Sequence, residues 1–64
     1  MPLVKIDLYP GRSPSQKREA AEGIMRVLVE KLGSKPKDVT IIFNDTSAHD
    51  WFDGGQSVRV APTD

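Results

Sequence analysis

A proline at position 2, an arginine at position 12 and the Trp51-Phe52 pair are the residues of this 64-residue chain whose types could do chemistry together. Removal of Met1 would turn Pro2 from a tertiary amide, which has no basicity, into a free secondary amine. Such an amine can take up a proton, release it, or attack a carbonyl. A small residue after the initiator suits methionine removal, yet many proteins begin Met-Pro and make no use of it. Arg12 offers a planar guanidinium that grips a carboxylate through two parallel hydrogen bonds, which lysine does less well. Trp51 and Phe52 offer a dry wall, and burial disfavours the charged form of an amine. An amine base needs that help to be free at neutral pH. There are plainer readings too: Arg12 as a solvated loop side chain, Trp51-Phe52 as interface packing. Types and spacing alone leave the choice open.

The elements that must position these residues are readable from pattern. Residues 2–9 alternate, with Val4, Ile6 and Leu8 on one face and Lys5, Asp7 and Tyr9 on the other, which predicts a strand. Leu3 and Tyr9 make the second face partly apolar, so it too needs cover. Pro10-Gly11 stops the strand. Ser13, Pro14 and Gln16 then form an S-x-x-Q capping box with proline at the first helical position, where its missing N–H costs nothing. Ala21, Ile24, Met25, Leu28 and Leu32 recur at steps of three and four and predict one apolar stripe, widened by Ala20, Val27 and Val29. Gly33 ends the helix. Gly23 lies in its middle, explained either by close packing on a neighbouring backbone or by tolerated weakness.

Residues 34–38 read as a short connection with room for one helical turn. Residues 39–44 read as a second strand, with Val39, Ile41 and Phe43 facing one way and Thr40, Ile42 and Asn44 the other. Strand, helix and strand make one βαβ unit with parallel strands and a right-handed crossover. Gly54-Gly55 followed by Ser57-Val58-Arg59-Val60 suggests a short hairpin, and residues 61–64 look frayed. The fold class is therefore α/β (α+β): a small βαβ subunit with two parallel strands, one long helix and a C-terminal hairpin, in a single domain over 1–64.

Composition narrows the function classes. Nine basic and nine acidic side chains cancel, which argues against a nucleic-acid footprint. Lys35 and Lys37 flank Pro36, but Asp38 follows, so that patch reads as a solvated turn. There is no cysteine, and the single His49 cannot build a zinc site. No apolar run approaches the ~20 residues of a membrane span. The start lacks a charged region leading into an apolar stretch, so the expectation is a cytoplasmic protein without membrane partners. A chain this short buries only about 60% of its unfolded surface. One helix covers one face of a two-stranded parallel sheet and leaves the other face and both edges bare, which parallel sheets rarely tolerate. A homo-oligomer is expected, with no stable monomer.

The Met-Pro start, Gly11-Arg12-Ser13 after the first strand, Gln16-Lys17 on the helix, and Gly54-Gly55 behind an aromatic residue together resemble 4-oxalocrotonate tautomerase, from Pro2 to about Gln56. The resemblance implies the tautomerase fold, a hexamer built as a trimer of dimers, and neither metal nor organic cofactor. It implies an isomerase whose amino-terminal proline shuttles a proton between an enol oxygen and a carbon of an unsaturated 2-keto acid such as the 2-hydroxymuconate keto form. Pro2 matches that base. Arg12 matches an arginine that a neighbouring subunit offers to the substrate carboxylate. Trp51 falls where the family has a phenylalanine that keeps the proline's surroundings apolar, and Tyr9 falls near the pocket, where its hydroxyl could polarise a carbonyl.

The chain departs from the family at Thr40, where a second substrate-binding arginine is expected. Threonine cannot supply that charge-assisted contact, worth roughly 1.5–3 kcal/mol. Arg59, His49 or Tyr9 are the candidate replacements. A monocarboxylate enol held by Arg12 then fits at least as well as a dicarboxylate. Two alternatives stay open. In one, a protonated Pro2 acts as an acid while Asp38, Asp45 or Asp50 activates water for hydration, dehalogenation or decarboxylation. In the other, the oligomer is non-catalytic.

Overall fold

The computed structural model describes residues 2–58. Strand β1 (Leu3–Leu8) and strand β2 (Thr40–Asp45) pair in parallel, in register from Leu3 opposite Thr40 to Leu8 opposite Asp45. Helix α1 (Pro14–Leu32) joins them. A short antiparallel hairpin follows, β3 (Phe52–Asp53) with β4 (Gln56–Ser57). This is the expected βαβ unit with a C-terminal hairpin. Arg59, Val60 and the tail expected to fray lie outside the described residues.

Local chemistry explains the boundaries. Ser13 caps α1: its Oγ accepts from the Gln16 N–H at 3.1 Å, while the Gln16 side chain accepts from the Ser13 N–H at 2.8 Å. Gly33 closes the other end at φ 70°, a left-handed conformation in which glycine has no Cβ to clash. The second strand begins at Thr40 rather than Val39. The Val39 N–H is already used by a 3-10 turn at Pro36–Asp38, donating to the Pro36 carbonyl at 3.3 Å. It ends one residue later than expected because Asp45 still pairs with Leu8. Gly54 and Gly55 turn the hairpin at φ 60° and 80°, the two positive values that a two-residue turn needs to match strand twist.

The alternation sorts the strands into two faces. Val4, Ile6, Leu8, Ile41 and Phe43 are half-buried, and so are Ala21, Ile24, Met25, Leu28 and Val29 of α1. The opposite sheet face is open, with Leu3 57% and Ile42 44% exposed. Leu32 and Val27, expected on the apolar stripe, are exposed as well. No described side chain is fully buried. A radius of gyration of 15.5 Å compares with about 11 Å for a compact domain of this length. A single helical layer on a two-stranded sheet cannot enclose a core, and this one does not.

Candidate active site

The two ends of the sheet hold different residues. At its amino end, the Pro2 carbonyl accepts from the Thr40 N–H at 3.0 Å, which ties the start of the chain to the start of β2. Pro2 is half-buried and Thr40 is exposed. Asp38, in the turn just before β2, is the carboxylate at this end.

At the carboxyl end, the Leu8 carbonyl accepts from the Thr46 N–H at 2.8 Å. The chain then makes a short 3-10 turn at Ala48–Asp50, capped by Ser47, whose Oγ accepts from the His49 N–H at 3.2 Å. That turn brings Trp51 back over the end of β1, where its ring lies 4.6 Å from the Tyr9 ring at 45°. Asp7, Thr46, Asp50, Trp51 and Phe52 line an open depression of about 230 Å³ beside this pair. Arg12 belongs to the same end, between β1 and α1. It is exposed and has no hydrogen-bond or ion-pair partner among the described residues.

The geometry therefore brings together Tyr9 and Trp51, with Arg12 nearby in sequence and at the same end. It does not bring Pro2 to them. Five steps of about 3.3 Å from Leu3 to Leu8 put roughly 17 Å between the two ends of β1. Within one chain Trp51 packs against Tyr9, so any shielding of Pro2 by an indole has to come from another copy. His49 is exposed at the carboxyl end, and Arg59 is outside the described residues.

Two pairs of residues make contacts that no local pattern announces. Lys17, in the first turns of α1, places its Nζ 2.9 and 3.0 Å from the two carboxylate oxygens of Asp45. Asp45 is thereby engaged by an ammonium on both oxygens, whereas Asp38 and Asp50 have no ion-pair partner among the described residues. Across the open sheet face, Asn44 Nδ2 donates to Asp7 at 2.9 Å. Among the described residues there is no His, Cys, Asp and Glu cluster suited to a metal ion, and no helix long and apolar enough to cross a membrane.

Comparison with known proteins gives the arrangement a family. The Tautomerase model, described as tautomerase enzyme, matches residues 2–61. A probable tautomerase from Streptococcus pneumoniae serotype 4 is 34% identical over 56 residues, covering 88% of this chain and 93% of that one. The 2-hydroxymuconate tautomerase of Comamonas testosteroni is 32% identical over 59 residues, covering 92% and 94%. Among solved structures, TomN, a 4-oxalocrotonate tautomerase homologue in the tomaymycin biosynthetic pathway, superposes with a TM-score of 0.81 at 35% identity, covering 89% of this chain and 88% of its own. A match over nearly the whole chain, beginning at Pro2, means that this chain belongs to the Tautomerase family.

Proposed function

We propose that this chain is an enol–keto tautomerase of unsaturated 2-hydroxy and 2-keto acids, acting as a single domain in a homo-oligomer, with Pro2 as general base once Met1 is removed. The observation that carries the reading is Arg12: an exposed guanidinium with no partner among the described residues, at the sheet end that also holds the Tyr9–Trp51 pair. A cation without a partner inside the chain is free to hold a substrate carboxylate.

The proton then moves as follows. The Pro2 amine takes the enol O–H proton, the oxygen lone pair closes to a carbonyl, and the conjugated double bond shifts. The same nitrogen returns the proton to carbon, so the reaction is an isomerisation with nothing gained or lost. Such proton transfer contributes about 10²- to 10⁴-fold. Because Pro2 and Arg12 sit at opposite ends of one strand, the guanidinium comes from a second subunit, in keeping with a hexamer. The open face around Leu3 and Ile42 supplies the apolar surface for that assembly. With Thr40 in the second arginine's place, a monocarboxylate enol such as 2-hydroxypentadienoate fits at least as well as a dicarboxylate.

The test uses processed protein whose mass confirms loss of Met1. Pro2→Ala should lower kcat/KM for 2-hydroxypentadienoate by at least about 10²-fold, and NMR titration should find the Pro2 amine neutral at pH 7. An unaffected rate excludes the mechanism; a charged amine points instead to acid catalysis with Asp38 or Asp50 activating water.

A further inference from the structure

Arg12 sits in a segment with few ties to the sheet. Among the described residues, no backbone hydrogen bond involves Pro10, Gly11 or Arg12. Gly11 adopts φ 126°, where a side chain would be strained, so the turn at this point relies on glycine. The segment is accordingly held from its two ends. Upstream, Tyr9 rests against Trp51. Downstream, Ser13 opens α1, and the Lys17 N–H donates to the Ser13 carbonyl at 3.1 Å. That first turn is closed by its own cap hydrogen bonds, but its height above the sheet depends on what anchors it there.

The anchor is the Lys17 side chain. Its ammonium meets both oxygens of Asp45, the last residue of β2, which lies in register with Leu8 at the end of β1. The helix start is thus pinned level with the strand end from which the Arg12 segment departs. This is the one ion pair among the described residues. We propose that Lys17 and Asp45 are positioning residues that hold the guanidinium of Arg12 at the height a substrate carboxylate requires, an inference that rests on the proposed function.

A purely stabilising role fits the contact poorly. The two side chains are 24% and 43% exposed, and pairs in such contact with water contribute little to folding. Geometry is more sensitive: a misplacement of about 1 Å can cost up to about 10²-fold in rate. The pair also neutralises Lys17, which would otherwise offer the substrate a competing and less directional cation.

The experiment compares Lys17→Met, Asp45→Ala and the conservative Lys17→Arg in processed protein, with assembly checked by sedimentation. Lys17→Met and Asp45→Ala should each raise KM for 2-hydroxypentadienoate about tenfold and leave kcat within about twofold, since binding geometry and not proton transfer is lost. Lys17→Arg should restore KM. In parallel, the order parameter of the Gly11 amide from ¹⁵N relaxation should fall from the rigid range of about 0.85 toward about 0.6 in Lys17→Met. An unchanged KM with an unchanged Gly11 order parameter overturns the positioning role, as does a loss that follows dissociation of the oligomer. A wild-type protein that turns over no enol is a different result: it sinks the proposed function, while Gly11 relaxation still decides whether the pair holds the segment.

Discussion

The Thr40 amide donates to the Pro2 carbonyl at 3.0 Å, so the residue proposed to stand in place of the second arginine is the backbone partner of the proposed base. A charged side chain introduced at this point would enter the neighbourhood of the reacting nitrogen without disturbing that hydrogen bond, because the bond is made by the main chain. Thr40→Arg should therefore shift preference toward the dicarboxylate. A charge-assisted contact of about 1.5–3 kcal/mol corresponds to an increase of about 10- to 100-fold in the ratio of kcat/KM for 2-hydroxymuconate over 2-hydroxypentadienoate. An unchanged ratio would mean that Thr40 does not face the substrate.

The Tyr9–Trp51 contact closes the carboxyl end of the sheet and carries one flank of the Arg12 segment. Aromatic pairs of this geometry contribute about 0.5–1.5 kcal/mol beyond their buried area. Trp51→Ala should lower the urea midpoint accordingly and raise KM, whereas Trp51→Phe should keep most of both. If Trp51→Ala altered neither stability nor KM, the pair would be a surface contact without consequence for the site.

Gly23 tests where the neighbouring subunits lie. A Cβ built on it meets nothing within 4 Å among the described residues, so close packing on them does not explain the glycine. Alanine is about 1 kcal/mol better than glycine in a helix interior. Gly23→Ala should raise the melting temperature with the assembly intact. A lower melting temperature, or a smaller particle in sedimentation, would show another copy's backbone against this part of α1.

Much of this arrangement was readable from local rules, and the exceptions have physical causes. Alternation placed Val4, Ile6 and Leu8 on the covered face because the side-chain period of a strand is two. Ser13, Pro14 and Gln16 announced the helix start because a capping box is a short-range bargain between neighbours in sequence. Alternation alone extends the second strand to Val39, yet the preceding turn claims its N–H. Lys17 and Asp45 are 28 residues apart, and no periodicity links them. Tyr9 meets Trp51 only because the chain folds back after Thr46, through a 3-10 turn that composition does not announce. Arg12 was legible as a carboxylate-binding type. That it stands a strand's length from Pro2 became clear only with the parallel register in hand.

A site assembled from Pro2 of one subunit and Arg12 of another is the central proposal, and mixed oligomers test it directly. Pro2→Ala and Arg12→Ala proteins, each assayed alone, should turn over 2-hydroxypentadienoate poorly. Denatured together and refolded, they should recover a measurable share of wild-type activity, because some sites then combine an intact proline with an intact arginine from a different chain. No recovery in verified mixed assemblies, or full activity in an isolated subunit, would contradict it.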